Sequence, residues 1–305
     1  MGRRTFFEEQ RRNRRDSLLL AIVVSLFLFA LVYAFAYILA PESIIFVLPI
    51  SLILIPIYAW GSYKYADQIV LSSTNARPAE GNEFIYLNNV AEGLSIAAGI
   101  PPPKVYVIDD PEINAFATGK DPGHASIAVT TGALQQLNRQ ELEGVVSHEL
   151  SHVRNRDVEF MTYIAVLVGL VSILSHIILR WAWWGGMSGG RRRSRDKGGG
   201  SGIEVVVLVL GLVLAILAPI AVYLIQFAIS RRREFMADAS GAELTRYPEG
   251  LASALEKIKN VNLGKMKVDE ALSPLFISDP NHTALDKLFA THPPLEERIK
   301  RLRQL

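Results

Sequence analysis

The chain has 305 residues, 32 Lys/Arg against 30 Asp/Glu and a formal net charge of +2; half of it is hydrophobic and its mean hydropathy is +0.23. The near-neutral charge gives no footprint for nucleic acid, and the absence of cysteine excludes disulfides, thiolate metal ligands and a cysteine nucleophile. Hydropathy this high points to membrane-spanning segments.

Residues 1–17 form a basic leader with six Lys/Arg. The apolar run that follows, Leu18–Ala40, is 23 residues long and uncharged. It is long for a signal-peptide core and ends without a small-residue cleavage site, so it reads as a retained transmembrane helix. A second run, Ile44–Trp60, follows after only Pro41, Glu42 and Ser43, which predicts a tight transmembrane hairpin over residues 18–63. Tyr58, Trp60, Tyr63 and Tyr65 read as an interfacial aromatic belt. Further runs at Phe160–Leu179 and Val205–Ile229 predict a second hairpin over 158–229, joined by an Arg/Gly-rich loop at 185–202. The basic leader and Arg231–Arg233 place the leader, residues 64–157 and residues 230–305 on the cytoplasmic side. The five basic residues of the 185–202 loop run against that tendency, so the second hairpin either crosses or only dips into the bilayer.

Between the hairpins, Glu83–Gly99 has helical apolar spacing and stops at Gly99 before three prolines. Lys104–Ile108 and Ser126–Thr130 are short and β-branched, as strands are. Ile113–Gly119 between them reads as a strand or as a plain loop. Arg139–Asp157 is a helix, and Pro248–Val261 and Pro293–Leu305 are helices of the same domain. The fold class is therefore a mainly α membrane protein: four transmembrane helices with a cytoplasmic α+β domain carrying a small sheet.

The motif helix contains His148-Glu149-Leu150-Ser151-His152. Positions four apart share a helix face, so both imidazoles can meet one metal ion. Glu149 lies where it can take a proton from an attacking water. A catalytic zinc site needs a third protein ligand, and 153–159 contains no histidine. Glu234 is the candidate, with Asp238 four residues on, placed to orient a liganding imidazole; the alternative is an ordinary acidic surface pair. His152 lies shortly before the third apolar run and Glu234 shortly after the fourth. An antiparallel hairpin would bring them together at the membrane surface. Gln226, Ser230, Glu234 and Asp238 repeat at four and could form one continuous face. His124, His176 and His282 read as a solvated turn residue, an interior residue of an apolar run and a loop residue.

Five segments in this order, Asn114–Gly119 (NAFATG), Ala128–Leu134 (AVTTGAL), Ser147–His152 (SHELSH), Arg232–Ala242 (RREFMADASGA) and Thr291–Ile299 (THPPLEERI), resemble the HtpX-type membrane zinc metalloproteases, relatives of the prenyl-protein endopeptidase. The resemblance implies a zincin-like catalytic domain with one zinc ion per chain. It implies His148, His152 and Glu234 as ligands and Glu149 as the catalytic residue. It also implies that Asn114–Thr118 is an edge strand, so that Asn114, Ala115, Phe116 and Ala117 contact substrate. His292 is either a donor to the transition state or a structural cap of the last helix. Asp157 is a further partner for a liganding histidine, and Arg298 anchors the last helix.

The expected activity is zinc-dependent endopeptidase hydrolysis of misfolded or damaged membrane proteins at the cytoplasmic membrane surface. Its expected partners are unfolded or membrane protein substrates and the lipid bilayer, with no nucleic acid; a homo-oligomer is compatible with the sequence. Two alternatives stay open: narrow processing of modified C-terminal peptides, and a non-catalytic membrane scaffold.

Overall fold

The computed structural model describes residues 44–163, 165–166, 231–269, 271–280 and 292–305, with isolated positions between 15 and 42. In chain order the elements are helices α1 (Ile44–Lys64) and α2 (Ala66–Ser73), strand β1 (Arg77–Pro78), helix α3 (Ile85–Ala98), strands β2 (Lys104–Ile108), β3 (Ala115–Gly119) and β4 (Ala125–Thr130), then helices α4 (Thr131–Gln136), α5 (Arg139–Arg154), α6 (Arg231–Thr245), α7 (Pro248–Val261) and α8 (Leu295–Leu302). The third run beyond Val166, the 185–202 loop, the fourth run, Gln226, Ser230, His176 and His282 lie outside the described residues, as does most of the first run.

Helix α1 runs unbroken through Pro49 and Pro56 for 21 residues. Among the described residues it is the one helix long and apolar enough to cross a membrane, with mean hydropathy 2.3. It turns Ile45, Phe46, Leu52 and Ile53 outward, the reverse of a helix in a water-soluble core; lipid is the solvent that favours this arrangement.

The sheet is mixed, with strand order β1-β2-β4-β3. β2 and β4 pair in parallel, and β1 with β2 and β3 with β4 antiparallel. Side chains of β4 alternate between two apolar clusters. Ile127 and Val129 pack with Val145, Val146 and Leu150 of α5 and Leu251 and Leu255 of α7. Ala128 faces the other way, with Val70 and Leu71 of α2, Phe116 of β3, Phe160 and Phe276. Because both faces are covered, the strands carry continuous apolar runs instead of alternation. Ala115 and Ala117 of β3 lie on the α5 side, where their small size lets the helix approach.

Helix α5 is set by its start. Asn138 accepts from the Glu141 N–H at 3.0 Å, and Glu141 Oε2 accepts from the Asn138 N–H at 2.7 Å, a closed capping box. Lys257 Nζ donates to the same Glu141 oxygen at 2.7 Å, tying α7 to the cap. Every residue from 144 to 153 is buried, because α6 and α7 both pack directly on its backbone. A Cβ at Gly144 would stand 2.6 Å from Leu251 N, and one at Gly241 3.1 Å from His148 N. The helix is shorter than the sequence suggests: it ends at Arg154, Arg156 takes a left-handed φ of 59°, and Asp157 opens a new helical stretch, 157–163.

Candidate metal centre and its surroundings

The close approach of α5 and α6 brings His148, His152 and Glu234 together, all buried, with one ligand atom from each within 4.8 Å of the others. His148 Nε2 and His152 Nε2 are 3.3 Å apart. Glu234 Oε1 lies 3.4 Å from His152 Nε2, and Glu234 Oε2 3.8 Å from His148 Nε2. Tetrahedral bonds of about 2.0–2.1 Å space ligand atoms by about 3.3–3.4 Å, so two of the three pairs stand at the spacing a tetrahedral metal requires and the third, at 3.8 Å, is slightly wider.

The donor chemistry fits a cation as well. His148 Nδ1 lies 3.0 Å from Asp238 Oδ1. A carboxylate only accepts, so Nδ1 carries the proton; the Nε2 lone pair faces His152 and Glu234, with Arg298 Nη2 also 3.2 Å away. His152 Nδ1 meets Asp157 Oδ2 at 3.4 Å, which sets the same orientation. Glu149 Oε1 and Glu234 Oε2 are buried acceptors without a hydrogen-bond donor among the described residues. Four carboxylates, Glu149, Asp157, Glu234 and Asp238, converge here with two guanidinium groups, Arg233 and Arg298. With both imidazoles neutral and all four carboxylates ionised, a divalent cation would balance the charge.

The titration behaviour follows from these contacts. Burial, reinforced by Arg298, pushes His148 down to about 4, so its imidazole is neutral at neutral pH. Burial works to lower His152 too, but hydrogen bonds to the Asp157 and Glu234 carboxylates push it up to about 10. Burial pushes Glu149 up to about 8, opposed chiefly by His152. Against the cost of burial, His292 and His152 hold Glu234 well below the carboxylate range, and Arg298 does the same for Asp238.

Arg298 is more central than a helix anchor. It is fully buried, and it donates from Nε to Asp238 Oδ2 at 2.9 Å and from Nη2 to Asp238 Oδ1 at 2.7 Å. Its Nη1 donates to the Ile277 carbonyl at 3.0 Å and sits 3.5 Å from Glu234 Oε2. Arg233, read from the sequence only as part of a basic flank, stands 3.7 Å from Asp157 and stacks over Phe160. The helical spacing of Leu295, Arg298, Ile299 and Leu302 is the signal for Arg298: it places this arginine within an otherwise apolar stripe.

His292 is nine-tenths buried, with Nδ1 3.2 Å from Glu234 Oε2 but out of hydrogen-bond alignment. His124 is an exposed turn residue whose Nδ1 lies 2.8 Å from Asp121 Oδ1. β3 is the edge of its sheet, but the edge is not bare. The side chain of Asn114 is engaged with Ser278, and the Phe116 ring meets Phe276 at 4.9 Å on the face away from α5. These two expected substrate contacts therefore turn to the chain itself, while Ala115 and Ala117 line the side facing the histidines.

A family model described as peptidase family M48 matches residues 82–305. The chain is 49% identical over 307 residues to a protease HtpX homolog from Caldanaerobacter subterraneus, with 100% of this chain and 99% of the relative covered. It is 39% identical over 300 residues to a protease HtpX homolog from Streptococcus uberis, covering 98% and 99%. Among solved structures, Ste24p of S. mikatae shares the fold at a TM-score of 0.50 and 21% identity, over 97% of this chain and 67% of the other.

Proposed function

Because the chain belongs to peptidase family M48 and is a metal-dependent peptidase, we propose that it is a multi-pass membrane zinc endopeptidase that hydrolyses misfolded or damaged membrane proteins at the cytoplasmic surface. The observation that carries this reading is the cluster of His148, His152 and Glu234 at 3.3–3.8 Å beside the buried Glu149. Four membrane runs, cytoplasmic termini and unfolded substrates belong to the same proposal. They rest on the apolar runs of the sequence, the outward apolar face of α1 and the basic segments flanking the runs.

His148, His152 and Glu234 would hold the ion. When bound, zinc polarises a scissile carbonyl and makes water a nucleophile near neutral pH. Glu149 takes the proton of the attacking water and delivers it to the departing amine, a transfer typically worth ~10²–10⁴ in rate. Its burial raises its proton affinity toward neutrality, which suits both halves of that cycle. Asp238 and Asp157 hold the two imidazoles with Nε2 turned inward. Arg298 keeps Asp238 ionised. His292, 3.2 Å from Glu234, would donate to the developing oxyanion.

The test uses the full chain in detergent with an unfolded protein as substrate. Glu149→Gln should retain about one zinc per chain and lose hydrolysis by at least ~10²-fold. Hydrolysis at the wild-type rate by Glu149→Gln, or a His148→Ala chain with unchanged zinc content, would overturn the assignment.

A further inference from the structure

The two liganding imidazoles are braced in the same order but not in the same way. His148 meets Asp238, and Asp238 is held by the Arg298 fork at 2.7 and 2.9 Å. His152 Nδ1 meets Asp157 Oδ2 at 3.4 Å, and the other oxygen of that carboxylate, Oδ1, faces Arg233 Nη1 at 3.7 Å. At that length Arg233 and Asp157 form an ion pair without a hydrogen bond, a contact between charges where Arg298 makes a bidentate one.

Arg233 is held in place by something other than Asp157. Its guanidinium lies over the buried Phe160 ring, with Cζ 5.2 Å from the centroid. The side chain is only 14% exposed, and Nη1 is buried without a hydrogen-bond partner among the described residues. Burying a charged donor without a hydrogen bond is destabilising, so fold stability alone does not account for the placement. Arg231 and Arg232 beside it are exposed, as a basic flank to a membrane run is; of the three, Arg233 turns to the site. Phe160 opens the third apolar run and Arg233 follows the fourth, so their contact clasps the two ends of the intervening segment beside the ligands.

We propose that Arg233 is a positioning residue for the metal centre: its charge holds the Asp157 carboxylate against His152 Nδ1 and so keeps His152 Nε2 turned toward His148 and Glu234. The brace rests on the metal-peptidase reading above and adds to it which groups set each ligand. His148 is set by a fork from α8, and His152 by a single charge from α6. The two braces differ in what can replace them. A fork is lost with lysine, whereas a charge contact over an aromatic face can be made by an ammonium as well as by a guanidinium. Arg233→Lys therefore keeps the brace, and a neutral side chain of similar length removes it.

The experiment loads the full chain with zinc in detergent and withdraws the metal with a chelating fluorophore of known affinity; the zinc each chain retains gives its affinity, with no substrate present. Arg233→Met should weaken zinc binding about tenfold, the lower end of what losing support for a liganding histidine costs. Arg233→Lys should stay within about threefold of wild type. Asp157→Asn should weaken binding about 10–100-fold, and adding Arg233→Met to it should cost no more than about twofold further. If Arg233→Met does not fold, Arg233→Gln carries the same comparison, since it too lacks the charge. Binding within about twofold of wild type by the neutral variant would overturn the brace. So would an equal loss with and without Asp157→Asn, or an Arg233→Lys chain as weak as the neutral one. Those three outcomes leave the metal reading standing. A wild type that takes up no zinc, or a His148→Ala chain that holds it as tightly as wild type, would overturn the metal reading and the brace together.

Discussion

Replacing Arg298 with methionine keeps most of the side-chain volume and removes the charge. Asp238, 4% exposed, then loses both guanidinium bonds, at 2.9 and 2.7 Å, and among the described residues keeps only His148 as a partner. Breaking a buried ion pair from one side typically costs about 3–5 kcal/mol. The Ile277 carbonyl, accepting at 3.0 Å, loses its Arg298 donor, which adds about 1 kcal/mol or more if nothing replaces it. A loss of about 4 kcal/mol is a large part of a stability that is typically about 5–15 kcal/mol. With a urea slope of about 2 kcal/mol/M, the midpoint falls by about 2 M. Pulse proteolysis of the detergent-solubilised chain measures that midpoint. The pH dependence is a second readout. In the wild type Asp238 sits below the usual carboxylate value, so its contribution is complete above that value and fades as pH falls through the folded one. Without Arg298, burial pushes the same group above its unfolded value, so the defect is largest at alkaline pH and shrinks on acidification. A variant within about 0.5 kcal/mol of wild type, or a defect independent of pH, would refute the role given to this pair.

Zinc binding at pH 7.5 should release at least about one proton per chain, because His152 is protonated up to about 10 without a cation and must be neutral to ligate, and Glu149, pushed up to about 8, adds to the release. Calorimetry in buffers of different ionisation enthalpy checks this, and a buffer-independent enthalpy contradicts it. Asn138→Ala opens the capping box of α5 and should cost about 0.5–2 kcal/mol in the same urea assay while leaving zinc content unchanged. Gly144→Ala places a methyl 2.6 Å from the Leu251 backbone and should destabilise the chain by about 1–3 kcal/mol, whereas the same change at exposed Gly93, which meets nothing within 4 Å, should be far milder.

Much of the site was legible because its residues repeat at helical spacing: His148 and His152 on one helix, Glu234 and Asp238 on another. The elements 85–98, 104–108, 125–130 and 248–261 were legible from apolar spacing and from stops such as Gly99, whose φ is 70°. Less legible were features that depend on what packs where. Nothing in the local pattern says that Arg298 is buried while Arg301 is half exposed, unless the apolar stripe around it is taken as a core face. The seating of 276–278 on β3 joins residues some 160 positions apart in sequence, and no short-range signal encodes it. The split of the motif helix at Arg156 was hidden by polar residues that suit a turn and a helix end equally.

The contact between Arg298 and Asp238 spans 60 positions, and that between Arg298 and His148 spans 150. A ribosome delivers these residues in order, the two histidines first, Glu234 and Asp238 next, His292 and Arg298 last. A nascent chain that already exposes the His-Glu-x-x-His helix therefore lacks the guanidinium that holds Asp238 against His148. The centre gains its full support only once α8 has been translated, so a chain released before that helix carries the motif without it.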